Sequence, residues 1–157
     1  MDVDGTLTDG GVYYSQEGLA LKKFSVYDGM GITLLHQGKI QTMFLSSDTS
    51  SIPLQRAEKL HVTYEILGVS RKKNALDDFI RTNYINIDEI AVIGDDINDI
   101  EIMQMCGFAA CPSSATPLVI EKVDFISDFA GGEGAVRQIC EMILLAQNKP
   151  ITLIFEE

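Results

Sequence analysis

From residue 40 onward the chain alternates short apolar runs with amphipathic stretches, and this alternation restricts the fold more than any other feature. Strands are predicted over 40–45, 62–66 and 90–93, with helices over about 52–60 and 72–83 between them. Strands and helices of these lengths in alternation predict right-handed βαβ units and a three-layer, Rossmann-like α/β fold with a parallel sheet covered on both faces. Asn98 is read as the start of the next helix, carrying Ile102, Met103 and Met105, with further short elements at 108–110, 117–123 and 125–126. A final amphipathic helix carries Val136, Ile139, Met142, Ile143 and Leu145 after Gly131-Gly132-Glu133-Gly134. Ahead of the alternating region, residues 12–15 and 19–24 flank a turn at Gln16-Glu17-Gly18 and read as a β-hairpin projecting beyond the sheet. Asp28-Gly29-Met30-Gly31 opens a helix that ends near Gly38, with His36 on its surface.

The residues that carry chemistry fall at predicted strand ends. Asp2 and Asp4 are one residue apart and are followed by Gly5 and Thr6. Alternate strand positions point to opposite faces, but at a fraying strand end, with Gly5 free to take unusual dihedrals, both carboxylates can converge on one metal or phosphorus. A solvated acidic turn is the plainer reading of these residues alone. Ser46, Lys72 and Asp95 also lie at or just beyond strand carboxyl ends, the edge where open α/β sheets bind ligands. Together they predict a single cluster.

The run Asp2-Val3-Asp4-Gly5-Thr6 resembles the first motif of the haloacid dehalogenase superfamily, whose phosphatases read DxDGT. Three further motifs follow in the family's order: Met43-Phe44-Leu45-Ser46, then Lys72, then Gly94-Asp95-Asp96-Ile97-Asn98-Asp99. This resemblance implies that Asp2 is a nucleophile forming an aspartyl-phosphate, and that Asp4 is the acid and then the base. It implies that Asp2, the Asp4 backbone carbonyl and Asp95 hold Mg2+, with Asp96 and Asp99 supporting that shell or Lys72. Ser46 and Lys72 would bind the transferring phosphoryl oxygens, beside Gly5; Lys73 is the lesser alternative to Lys72. The stretch Gly68-Val69-Ser70-Arg71-Lys72 carries Arg71 where the family has Asp.

Neither inter-motif gap is long enough for a cap domain, so one domain spans 1–157, with a hairpin at about 11–24. The hairpin, Phe24-Ser25-Val26-Tyr27-Asp28-Gly29-Met30-Gly31 and Gly131-Gly132-Glu133-Gly134-Ala135-Val136-Arg137 resemble the capless 3-deoxy-D-manno-octulosonate 8-phosphate phosphatases and their nonulosonate 9-phosphate relatives. That implies a homotetramer whose hairpins pack together. A surface flap also fits the hairpin, but Tyr13, Tyr14 and Phe24 would then be exposed aromatics. Where the octulosonate enzymes have T-G-R, this chain has Ser46-Ser47-Asp48. An acid there should repel a sugar carboxylate unless another cation compensates. Lys59, eleven residues on, is the candidate partner of Asp48. An acid and a Lys at these places resemble the nonulosonate enzymes, which makes a nine-carbon ulosonate 9-phosphate the expected substrate and the octulosonate the alternative. A non-catalytic phosphatase-like oligomerisation domain, and a phosphotransferase or phosphoprotein phosphatase, are the rival readings; intact Asp2, Asp4, Lys72 and Asp95 oppose the first.

Composition excludes other classes. A net charge of −11, with no Lys/Arg cluster, would repel a nucleic-acid backbone. No run approaches the ~20 apolar residues of a membrane span, and nothing at the start reads as a signal peptide. Cys106, Cys111 and Cys140 lack CxxC spacing and read as reduced core thiols, which points to the cytoplasm. Only Met1 precedes Asp2, so the hydrophobic residues that would build the nucleophile's strand are missing, and the sequence reads as truncated or given a misassigned start.

Overall fold

A computed structural model of the chain describes residues 1–153. Antiparallel strands β1 (Thr8–Ser15) and β2 (Gly18–Phe24) form the hairpin, in which Ser15 pairs with Gly18 across a tight turn. Helix α1 (Val26–Gln37) follows, then β3 (Met43–Leu45), α2 (Ile52–Leu60), β4 (Tyr64–Ile66), α3 (Lys72–Asn83) and β5 (Ala91–Ile93). A 3-10 turn at Ile97–Asp99 leads into α4 (Ile100–Met103), β6 (Phe108–Cys111), α5 (Pro117–Ile120), β7 (Phe125–Ile126) and α6 (Ala135–Ala146).

β3 pairs parallel with β4, and β5, β6 and β7 pair parallel in that order. The first residues of the chain join the two groups. The Met1 ammonium donates to Met43 O (2.7 Å), Leu45 N donates to Met1 O (3.0 Å), and Asp2 N donates to Ile93 O (2.8 Å). One residue bonded to two alternate residues of its neighbour is the parallel ladder pattern. The sheet order is therefore β4, β3, the 1–3 stub, β5, β6, β7. In line with the stub, a cavity of about 530 Å³ opens between Met1, Met43, Ala91, Leu76 and Ile143. Burial there pulls the Met1 ammonium down to about 6.

Period-2 alternation sorts the strands' side chains between two cores. Val3, Phe44, Ile93 and Ala110 pack with α1, α2 and α6 on one face. Leu45, Val92, Ala109 and Cys111 pack with α3, α4 and α5 on the other. The three-layer α/β expectation holds, and no cap domain interrupts it. All three cysteines are free thiols.

Local departures have physical causes. The fourth helix is shorter than expected, because the 3-10 turn uses Asn98 and Asp99 to close the loop after β5, leaving Met105 beyond the helix end. α1 begins two residues before Asp28, where the Ser25 side chain accepts from Tyr27 N. Asp28 is buried and instead caps α6, accepting from Arg137 N (2.9 Å) and Gly134 N (3.3 Å). His36 is half-buried rather than a plain surface residue, 2.6 Å from Thr42 Oγ1. Phe24 also turns inward, against the core with the Arg56 guanidinium 5.3 Å from its ring centroid, whereas Tyr13 and Tyr14 stay 55% and 72% exposed.

Phe44 is fully buried in the larger core at the centre of the sheet. Phe44→Ala should lower unfolding free energy by about 3–5 kcal/mol, read by urea denaturation. A loss under about 1 kcal/mol would mean that the site collapses freely or that Phe44 is not a core anchor.

Candidate active site

After the stub the chain turns sharply: Leu7 N and Thr8 N both donate to Val3 O (2.9 and 3.0 Å), and Thr8 Oγ1 accepts from Gly5 N and Gly10 N (both 3.2 Å). This turn presents Asp2 and Thr6 toward the loop after β5. Gly5 has φ +85°, and a Cβ there would collide with the Asp95 carboxylate. Glycine is thus required on two counts, conformation and space. The backbone of Gly131 packs as closely on Gly5 O from the other side, while Gly132 N donates to Thr6 O (3.1 Å). The glycine-rich run before α6 supports the turn after Asp2 and Asp4.

Asp2, Asp95 and Asp99 form the centre, with a carboxylate oxygen from each within 4.8 Å of the others. Lys72 Nζ donates to Asp2 Oδ1 (2.5 Å) and Asp99 Oδ1 (2.7 Å), with its side chain 1% exposed. Lys72 is the first residue of α3, where the helix dipole disfavours a cation, so the two carboxylates must outweigh both dipole and desolvation. They do: burial pulls the ammonium down, but Asp2 and Asp99 hold it above its ordinary value. Lys73 points away and pairs with Asp77 on the helix surface (2.7 Å).

Asp95 accepts from Thr6 Oγ1 (2.8 Å), and burial together with the Asp2 and Asp99 charges pushes it up to about 7 despite that bond. Asp99 is raised as well, first by burial and then by Asp2, against Lys72. Three clustered acids facing one Lys suit a hard divalent cation, which favours carboxylate oxygen and would relieve their mutual repulsion. The Asp2 and Asp95 carboxylates fit that role, while Asp99 sits deeper, orienting Lys72 and accepting from Asp95 N (3.3 Å). Asp96 turns outward and caps the Ile97 amide (2.7 Å), so it fixes the loop instead of joining the cluster.

Ser46 is buried at the end of β3, its Oγ accepting from Asp48 N (3.1 Å). Asp4 carries the more open carboxylate, with a side chain 38% exposed. Its partner is Lys22 of β2, whose Nζ reaches both Asp4 oxygens (2.7 and 2.6 Å) and Asp48 Oδ2 (2.5 Å). Asp48 also accepts from Ser50 N (2.8 Å) and Ser50 Oγ (2.7 Å). Burial raises Asp48, but Lys22 and Ser50 outweigh it and hold the carboxyl below its ordinary range. This corrects the expected Asp48–Lys59 pair. Lys59 is exposed in the last turn of α2 and forms no ion pair among the described residues, because Lys22 already occupies that side of Asp48.

Lys22 and Thr6, which contact the site carboxylates, do not stand out as site residues in the sequence. Thr6 sits within the first motif itself. Lys22 had a signal: strand alternation places it on the same side as the inward Phe24, and an inward Lys in a chain of net charge −11 calls for acidic partners.

A family model described as haloacid dehalogenase-like hydrolase matches residues 54–139. The chain is a member of the haloacid dehalogenase-like hydrolases. It is 35% identical over 149 residues to the 3-deoxy-D-manno-octulosonate 8-phosphate phosphatase KdsC of Escherichia coli K12, covering 95% of this chain and 79% of that one. The corresponding phosphatase of Moraxella catarrhalis, solved with a magnesium ion, a phosphate ion and a KDO molecule, superposes with a TM-score of 0.90 at 36% identity, covering 94% of this chain and 85% of that one. A cobalt-bound Haemophilus influenzae deoxy-D-mannose-octulosonate 8-phosphate phosphatase matches with a TM-score of 0.89 and 37% identity, covering 94% and 86%. No helix among the described residues is long and apolar enough to cross a membrane.

The raised Asp95 gives a pH prediction with a definite sign. A carboxyl that binds its proton more tightly when folded contributes stability present at low pH, which is lost as pH rises from about 4 through about 7. Metal binding must displace that proton. Mg2+ should therefore raise Tm more at pH 7.5 than at pH 5.5 in thermal melts. An equal rise at both would show that Asp95 is not protonated in the metal-free site.

Proposed function

We propose that the protein is a Mg2+-dependent phosphomonoesterase that hydrolyses a ulosonic acid sugar phosphate, with 3-deoxy-D-manno-octulosonate 8-phosphate as its substrate. The observation that carries the reaction class is the Asp2, Asp95, Asp99 and Lys72 cluster at the sheet's carboxyl edge, with Asp4 beside it. Asp2 attacks phosphorus and forms an aspartyl-phosphate while the bond to the sugar oxygen breaks, and Asp4 gives the leaving alkoxide its proton. Asp4 then takes a proton from the water that attacks the phosphoaspartate, which returns Asp2 and releases inorganic phosphate. Covalent catalysis divides one difficult displacement into two easier ones. Ser46 Oγ and Lys72 Nζ bind the phosphoryl oxygens, where fixed donors act on charge developing in the transition state. Mg2+, held by Asp2, the Asp4 carbonyl and Asp95, would mask phosphate charge so that an anionic nucleophile can approach.

The substrate follows from the Lys22–Asp48 pair taken with the octulosonate relatives. Asp48 stands as a neutralised acid, so the repulsion that disfavoured the octulosonate loses its source, and the exposed Lys59 gives no support to a nonulosonate site. The acid at Asp48 in place of Arg still favours the nonulosonate 9-phosphate as second reading. Exposed Tyr13, Tyr14 and Leu21 on the hairpin support a homotetramer assembled through it, in a cytoplasmic enzyme.

Asp2→Asn should cut phosphate release by roughly four to six orders of magnitude. Asp95→Asn should instead raise the Mg2+ concentration needed for half-maximal rate. An Asp2→Asn protein of full activity would end the covalent scheme. Comparing phosphate release from the 8- and 9-phosphorylated ulosonates decides the substrate, since a wild-type preference for the nine-carbon compound overturns the octulosonate assignment.

Sedimentation should give a tetramer, and Tyr13→Glu with Tyr14→Glu should dissociate it. A fully active wild-type monomer would remove the hairpin from assembly.

A further inference from the structure

The leaving-group side of the site contains a device that the reaction outlined above does not use. Lys22 lies on β2 of the hairpin, outside the α/β core, yet its side chain is 2% exposed and it touches two carboxylates from two different core loops. Asp4 belongs to the turn after the stub, and Asp48 to the loop after β3. No other cation pairs with either acid among the described residues. A buried Lys loses its hydration and its rotamer freedom, and three short hydrogen bonds hold it there. Without it, two acids would face each other beside the point where a dianionic phosphate and a sugar carboxylate must arrive.

We infer that Lys22 is a positioning residue for the general acid. It orients the Asp4 carboxylate toward the leaving group, and it cancels the Asp48 charge that would otherwise repel an anionic substrate. This inference rests on the reading of Asp4 as the group that protonates the sugar alkoxide. Two consequences separate it from a merely structural ion pair. A misdirected general acid slows esters of poor leaving groups, because an alkoxide needs a proton to depart, while an aryl ester such as p-nitrophenyl phosphate releases a stable phenolate unaided. Loss of charge cancellation raises KM for a substrate bearing its own carboxylate more than for the uncharged aryl group. Because β2 carries both Lys22 and the exposed Leu21, the residue that steers Asp4 sits on the element that also presents the apolar face of the hairpin.

The experiment compares the single-turnover rate of leaving-group release, which reads the first displacement alone, and KM of wild type, Lys22→Met, Lys22→Arg and Asp4→Asn on 3-deoxy-D-manno-octulosonate 8-phosphate and on p-nitrophenyl phosphate, with Tm measured for each. General acid catalysis contributes roughly 10² to 10⁴-fold. Lys22→Met should therefore lower the single-turnover release rate on the sugar phosphate by roughly tenfold to a hundredfold more than on the aryl ester. It should raise KM only for the former, and Lys22→Arg should restore much of both. Lys22→Gln, shorter and still polar, takes the place of Lys22→Met if that protein does not fold. Equal losses on both esters for the Lys22 variants, with Asp4→Asn selective for the sugar phosphate, would overturn the positioning role. Asp4→Asn slowing release of the sugar and of the phenol equally in a single turnover would instead show that Asp4 is not the general acid, and the failure would then lie in the proposed mechanism; loss of steady-state turnover on both esters follows from its base role in the second step and is not the readout.

Discussion

The buried Lys72 ammonium, bonded to Asp2 and Asp99, is the interaction on which the rest of the site depends. It draws three separate pieces of chain together: the stub at the centre of the sheet, the first turn of α3 and the loop after β5. Each alone would place an unpaired charge in a nearly dry environment, at a cost of several kcal/mol per ion. Joined, they leave an acid-rich centre, since Asp95, which accepts from the Thr6 hydroxyl, adds a third carboxyl facing one Lys. That excess of carboxyls makes the cluster a receptor for a cation rather than a closed structural knot.

The backbone is organised to permit this crowding. Backbone hydrogen bonds from Met1 and Asp2 join the sheet's two parallel groups, and the chain then turns within a few residues, with Val3 O accepting from Leu7 N and Thr8 N, and Thr8 Oγ1 from Gly5 N and Gly10 N. Close approach of that turn to the Asp95 carboxylate on one side and to the glycine-rich run on the other leaves no room for side chains at Gly5 and Gly131. The same run ends at the N-terminus of α6, whose amides are capped by Asp28 from α1. Core packing on the α1 and α6 face is thereby coupled to the position of the turn that follows Asp2 and Asp4.

The hairpin sends Lys22 into the site and leaves Tyr13, Tyr14 and Leu21 outside. Strand alternation separates Lys22 from its exposed neighbours Leu21 and Lys23, and a register shift between Tyr13 and Tyr14 leaves both consecutive rings exposed. The Asp4 and Asp48 carboxylates thus obtain their counter-charge from an element peripheral to the core.

Periodicity and motif spacing determined much of this protein. The alternation of strands and helices, the helix at 52–60, the helix beginning at Lys72, and the placing of Ser46, Lys72 and Asp95 at strand carboxyl ends follow from local pattern plus the topology of parallel sheets. Only the tertiary structure decided the partners. Asp48 pairs with Lys22 rather than Lys59, Asp28 caps a helix 106 residues away, and Asp96 turns outward while Asp99 turns in. Chain order carries no information about which of several nearby cations reaches a given carboxylate. That choice depends on side-chain direction at long-range contacts, where the hairpin folds back over the loops, and on the free energy of burying one charge against another.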